Sequence, residues 1–200
     1  MDLTIRIAGE AGQGVQTTGN LLAGAFARVG LHVFATQSYM SRIRGGLNWF
    51  DVRVGDNEMF SGKEKADVLV ALNSDVLDPL RHEVTGRGVV LLDGAGSDGV
   101  ISIELSKTAK QLTGSAQMAN TVAAGAIFNL LGCGLDELCD YLSVQFEKKG
   151  EQVVEGNILC ARRGAELAAL IPALDDAPKS SGAPGTVYNG SQAVGLAAAT

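Results

Sequence analysis

Leu3-Thr4-Ile5-Arg6-Ile7-Ala8-Gly9-Glu10-Ala11-Gly12-Gln13-Gly14-Val15 is the stretch that decides the fold. Leu3 to Ala8 reads as a buried strand, Gly9 to Gly14 as a glycine-rich turn, and the residues from Val15 to Val29 as a helix. Strand, tight turn and helix in this order open a doubly wound α/β fold, whose ligands sit where strand C-termini meet helix N-termini. Gly9, Gly12 and Gly14 let the backbone turn sharply and bring its N–H groups close to an anion. The helix adds about half a positive charge at its N-terminus. The turn therefore reads as a cradle for phosphate or carboxylate. Its spacing, G-x-x-G-x-G, is not the G-x-G-x-x-G of dinucleotide sites. Nor is it a P-loop, because Val15-Gln16 follows Gly14 where Lys-Ser/Thr would be needed. A tight turn that binds nothing is the alternative reading.

Working outward, Leu22, Phe26 and Val29 form one apolar face of the first helix. Gly19 and Gly24 lie inside it, each costing about 1 kcal/mol relative to alanine, which points to close packing against the sheet or a partner. Gly30 ends the helix, and Leu31 to Thr36 forms the next strand. Residues 47–55 partly alternate, which predicts a strand with one wetter face and antiparallel pairing. The continuous apolar runs Val68 to Leu72 and Val89 to Leu92 predict parallel strands buried on both faces, with a helix over 75–83 between them and a short strand near 100–103. Helices are expected over 105–112, 118–131, 135–146 and 151–169; the second is apolar nearly all round and must be buried in the domain or at an interface. The fold class is α/β: three layers, a mostly parallel doubly wound sheet with helices on both faces.

The 200 residues divide into a domain over 1–174, a Pro/Gly/Ser-rich linker over 175–186 and the start of a new element over 187–200. A net charge of −6 argues against a nucleic-acid surface. No apolar run approaches the roughly 20 residues that span a bilayer, and no signal-peptide pattern opens the chain, so a cytoplasmic location without membrane contact is expected. Cys133, Cys139 and Cys160 lack the C-x-x-C spacing of zinc or iron–sulfur sites and read as buried thiols in a reducing compartment. His32 and His82 belong to no recognisable triad or ligand set. No catalytic and no metal-binding residue is expected.

Three segments together carry a resemblance. Gly9-Glu10-Ala11-Gly12-Gln13-Gly14-Val15, then Ser41-Arg42-Ile43-Arg44-Gly45-Gly46, then Met118-Ala119-Asn120-Thr121-Val122-Ala123-Ala124-Gly125-Ala126 resemble, in order and spacing, the gamma subunit or domain of 2-oxoacid:ferredoxin oxidoreductases, across residues 3–170. Asn189-Gly190-Ser191-Gln192-Ala193-Val194-Gly195 is similar to the opening of the alpha domain in enzymes that fuse gamma to alpha, where the pyrimidine-side thiamine diphosphate domain begins. The resemblance implies one module of an enzyme that decarboxylates a 2-oxoacid, captures the acyl group on coenzyme A and sends electrons through iron–sulfur clusters to ferredoxin. Thiamine diphosphate and the clusters then belong to other parts. On this resemblance the chain is expected to assemble with alpha and beta parts, to help place coenzyme A and to be inactive alone; its apolar 118–131 helix and glycine-bearing first helix leave a homodimer open in isolation. The implied cofactor-binding residues are Gly9, Gly12, Gln13, Gly14, Val15, Ser41, Arg42, Arg44, Gly45, Gly46 and Asn120.

The residues suit that role. The glycine loop fits one phosphate group of coenzyme A. Arg42 and Arg44, two apart, point the same way in an extended segment and can grip phosphate bidentately. Asn120 is open to capping, helix–helix or ligand contact. Ala11 stands where many relatives have glycine, a strained choice if that position needs positive φ. Two other functions stay open at this stage. One is a purely structural interaction domain. The other is a free-standing nucleotide-binding enzyme using Asp93, at a strand end, as acid or base.

Overall fold

The computed structural model describes residues 2–40, 46–96, 99–172, 174, 177–180 and 182–199. Six strands form one sheet: β1 (Asp2–Gly9), β2 (His32–Ser38), β3 (Asn48–Gly55), β4 (Ala66–Ala71), β5 (Val84–Leu92) and β6 (Ile101–Ser102), in the order β2-β3-β1-β4-β5-β6. β1, β4, β5 and β6 run parallel to one another, while β3 pairs antiparallel with both β1 and β2. β2 therefore points the same way as β1, and its end reaches the edge where β1, β4 and β5 finish.

Side-chain alternation gives the sheet two unlike faces. Leu3, Ile5, Ile7, Phe50, Val52, Val54, Val68, Val70 and Leu91 point into the larger core. There they meet α1 (Val15–Arg28), α3 (Leu105–Thr113), α4 (Ala119–Leu130), α5 (Leu135–Phe146) and α6 (Glu151–Ala168). The other face carries a smaller core of Ala8, Leu69, Ala71, Val90 and Leu92 under Val76 and Leu80. The predicted helix over 75–83 is broken: 3-10 turns at Ser74–Val76 and Arg81–Glu83 flank α2, a single turn at Leu77–Leu80. Pro79 sits inside that turn, where it removes a backbone donor. Beside this cover, Arg6 is 4% exposed. It forms a two-pronged bond to Asp51 at 2.7 and 2.8 Å, pairs with Glu83, and lies 5.4 Å from the Trp49 ring.

α4 is buried within this chain from Thr121 to Phe128, which settles its all-round apolar character. It crosses α6 so closely that a Cβ on Gly125 would lie 1.9 Å from Ala161 O, and one on Gly164 1.9 Å from Val122 O. Thr121 Oγ1 donates to Asn157 Oδ1 at 2.6 Å in the same crossing. The sheet strand predicted over 89–92 begins earlier, at Val84, because the parallel pairing with β4 continues through a register shift between Ala66 and Val68.

α1 ends at Gly30 (φ +82°), with Leu31 N–H donating to Phe26 O and Gly30 N–H to Ala27 O, the two bonds of a Schellman stop. Ala27 O also accepts from Gly185 N–H at 2.7 Å, and Asp56 Oδ1 accepts from Lys179 N–H at 2.6 Å. These contacts strap the chain after α6 across the C-terminal end of α1, over a cavity of about 620 Å³ lined by Leu31, Leu131 and Cys133. Beyond the strap, Asn189 and Gln192 exchange side-chain to backbone bonds of 2.9 Å and open α7 (Gly190–Ala199), none of whose residues is buried.

Candidate functional site

Three strand ends meet at one edge. Leu72 N–H donates to Ala8 O and Asp93 N–H to Ala71 O, so β1, β4 and β5 finish side by side. The glycine loop rises from the first of them. Gly12 (φ +91°) and Gly14 (φ +86°) take the left-handed conformation, and Ala11 does not. The alanine is therefore unstrained, and the two glycines carry the turn. Gly14 is the N-cap of α1; no side chain caps the helix, and its first turn holds no acidic residue. The first-turn N–H groups are left for water or a ligand.

A cleft of about 370 Å³ opens in front of them. One wall is Glu10, Ala11, Gly12, Gly14, Val15, Gln16 and Thr17; the other is Gln37, Tyr39, Met40 and Asn48, from the facing ends of β2 and β3. Asn48 Oδ1 accepts from Met40 N–H at 3.1 Å, and Asn48 Nδ2 donates to Gly46 O at 3.4 Å, which closes the β2–β3 connection at this edge. Ser41, Arg42, Arg44 and Gly45, named from the sequence, lie outside the described residues, as does Ile43.

The structure brings Gly9, Gly12, Gln13, Gly14, Val15 and Asn120 together. Asn120, at the start of α4, presses on the loop: a Cβ on Gly14 would lie 2.7 Å from its Nδ2. Gln13 stands beside the cleft rather than in its lining, with Oε1 accepting from Glu10 N–H and from Asn73 Nδ2, both at 2.7 Å. Asp93 uses one carboxylate oxygen on Ser106 N–H (3.1 Å) and the other on Ser106 Oγ (2.5 Å), so it holds the start of α3. Sequence reasoning missed Gln37, Tyr39, Met40, Asn48 and Asn73. The signal for Asn73 was its place directly after the apolar run 68–72, at the same edge as the loop.

The thiols take no part. Burial, helped by Glu137, pushes Cys133 up to about 11, and burial pushes Cys160 up to about 11. Both are neutral thiols at physiological pH. Among the described residues no group of His, Cys, Asp or Glu could hold a metal, and no helix is long and apolar enough to cross a membrane.

Residues 4–167 match the family described as pyruvate ferredoxin/flavodoxin oxidoreductase. The chain belongs to this family. The 2-oxoglutarate synthase subunit KorC of Archaeoglobus fulgidus is 32% identical over 155 residues, which are 76% of this chain and 83% of the relative. The ketoisovalerate oxidoreductase subunit VorA of Methanothermobacter thermautotrophicus is 31% identical over 178 residues, 84% of this chain, yet the match spans only 36% of that longer subunit. Among solved structures, the 2-oxoglutarate:ferredoxin oxidoreductase of Magnetococcus marinus, with 2-oxoglutarate, coenzyme A and succinyl-CoA bound, superposes with a TM-score of 0.78 at 30% identity, over 90% of this chain and 33% of that one. The keto/oxoacid ferredoxin oxidoreductase gamma subunit of Geobacter sulfurreducens gives 0.71 at 26% identity, over 84% and 97%. This oxidoreductase family's subunits work in enzyme complexes, and the α/β fold is the one its gamma subunits share.

Proposed function

We propose that this chain is the gamma module of a 2-oxoacid:ferredoxin oxidoreductase and that its glycine loop holds a phosphate of coenzyme A. The observation that carries the reading is the uncapped N-terminus of α1 facing a cleft of about 370 Å³. A family relative of 30% identity whose structure contains coenzyme A supports it. Gly12, Gly14 and Val15 offer backbone donors. Arg42 and Arg44 supply charge from the connection between β2 and β3, both of whose ends flank the cleft. Ser41, Gly45 and Gly46 belong to the same sequence motif, and Gly9 and Asn120 pack against the loop through Gln13 and Gly14. Thiamine diphosphate and iron–sulfur clusters are held by other parts of the enzyme, where the oxidative decarboxylation takes place; this chain supplies the acyl acceptor's docking point and packs against alpha and beta parts. Residues 175–186 link it to a following alpha segment that begins at 187. The location is the cytoplasm, in keeping with reduced thiols.

The test is the coenzyme A KM of the assembled enzyme carrying Arg44→Ala. A charge-assisted contact contributes about 1.5–3 kcal/mol, and about 1.4 kcal/mol is tenfold in affinity. The KM should rise about tenfold or more with assembly intact. An unchanged KM in a fully assembled enzyme assigns the arginine and the loop to packing alone.

A further inference from the structure

Two carboxamides tie the glycine loop to the next strand, and their orientations are fixed by backbone donors. Asp75 N–H donates to Asn73 Oδ1 at 2.9 Å, so the Nδ2 of Asn73 must face away from it, and it donates to Gln13 Oε1 at 2.7 Å. Glu10 N–H donates to the same Oε1, also at 2.7 Å. A backbone N–H can only donate, so each amide can be set one way round. Gln13 N–H returns to Glu10 O at 3.2 Å, closing residues 10–13 from both ends. A Cβ at position 9 would lie 2.8 Å from Gln13 Oε1 and 3.1 Å from Leu72 Cβ, so the bare Gly9 is what lets the glutamine fold under the loop. Gly12 and Gly14, the left-handed residues on either side of Gln13, both line the cleft.

We infer that Asn73 and Gln13 are positioning residues for the ligand in this cleft, and that position 13 must be a neutral acceptor because the ligand is an anion. The inference rests on the coenzyme A reading given above. Hydrogen bonding does not by itself call for an amide here: the Oε1 of Gln13 acts only as an acceptor, and a glutamate would accept from Glu10 N–H and Asn73 Nδ2 equally well. The N-terminus of α1 would even favour the negative charge. What a glutamate would do is place that charge under the loop, at the oxygen hydrogen-bonded to Glu10 N–H and Asn73 Nδ2, beside an anion's cleft whose wall already carries the acidic Glu10. Asn73, two residues past the end of β4 and N-cap of the Ser74–Val76 turn, holds the glutamine in place from the neighbouring strand's end.

The experiment compares Gln13→Glu, Asn73→Ala and Arg44→Ala in the assembled enzyme, reading kcat and the KM values for coenzyme A and for the 2-oxoacid. Gln13→Glu should raise the coenzyme A KM about tenfold, more than it lowers kcat, and leave the 2-oxoacid KM in place. The ratio to wild type should shrink as ionic strength rises from about 0.05 M to about 0.5 M, since screening weakens the repulsion. Asn73→Ala should raise the coenzyme A KM several-fold, with a ratio that salt does not change. If Arg44→Ala raises the KM while Gln13→Glu and Asn73→Ala do not, the inference is overturned and the coenzyme A reading survives. A rise in Gln13→Glu alone overturns the relay through Asn73. If all three leave the KM of an assembled enzyme unchanged, the coenzyme A reading fails and takes the inference with it. Should Gln13→Glu not assemble, Asn73→Ala alone decides the relay.

Discussion

Gly164 meets the backbone of α4 with no room for a methyl group, and Gly164→Ala measures how much of the stability depends on that approach. In an ordinary helix interior the change would gain about 1 kcal/mol of helix propensity. Here the new Cβ would sit 1.9 Å from Val122 O and 3.0 Å from Ala126 N. Carbon–oxygen contacts settle near 3.3–3.6 Å, so α4 and α6 would have to part by about 1.4 Å. Parting loosens buried Cys160, Ala161, Ala165 and Ala168 against α4 and stretches the 2.6 Å bond from Thr121 to Asn157. Overpacking of this kind costs about 1–3 kcal/mol, and the strained buried hydrogen bond adds about 1 kcal/mol. Set against the propensity gain, the net loss is about 1–3 kcal/mol. For a chain of this size each kcal/mol is worth about 2–4 °C in Tm, so calorimetry should show a fall of about 2–12 °C. Gly156→Ala is the control in the same helix: its methyl would meet the flexible Met118 thioether, with Sδ 3.0 Å away, and Thr113 Cγ2 at an ordinary 3.4 Å, and should leave Tm unchanged or slightly raised. A Gly164→Ala protein as stable as wild type would refute the reasoning.

Two further outcomes follow from the charged side of the sheet. Asp51→Ala strands the buried Arg6 guanidinium with only the half-buried Glu83 as its carboxylate partner, and should cost about 3–5 kcal/mol in a urea melt. Burial pushes the Asp2 carboxyl up, but hydrogen bonds from Lys63 and Arg53 outweigh it and hold the group below its usual range. A depressed folded-state value means the stabilisation is present above the unfolded value of about 4 and fades as pH falls through the lower folded one. The gap in stability between wild type and Asp2→Asn, followed by urea melts at stepped pH, should therefore be full near neutrality and close in acid.

The parts of the fold that the sequence revealed are those where burial writes a pattern. β4 and the end of β5 are buried on both faces, and their unbroken apolar runs say so. The beginning of β5 was hidden because Gly86, Arg87 and Gly88 look like a loop; they sit in the register shift between the Ala66–Val84 and Val68–Val89 pairs, where no apolar pattern marks the strand. The helix over 75–83 was legible as a covered segment, with Val76 and Leu80 turned inward, but Pro79 and the local 3-10 geometry divide it. At the site, the glycines announced the turn. Which of them bear positive φ did not show in the sequence, because that is decided by how the turn joins α1, and the answer spares Ala11. Asn73 belongs to no motif with the loop, and its one cue was its place after the apolar run 68–72; the parallel pairing of β1 with β4 brings it beside Gln13.

α1 is a rod with two loaded ends. Its fourteen residues span about 21 Å at 1.5 Å per residue. The glycine loop hangs from one end, and the strap through Gly185 is moored at the other, on Ala27 O. Tension on the chain at Tyr188 or α7 therefore reaches the domain first at that mooring, before any core residue feels it. Because the rod is packed along its length through Leu22, Ala25 and Phe26, it resists bending and can answer such a pull mainly by tilting. A tilt of 5° about the strapped end would carry Gly14 sideways by about 2 Å, by simple leverage over that length, enough to re-aim every donor in the turn. The segment after α6 thus has a mechanical handle on the cleft at the far end of α1.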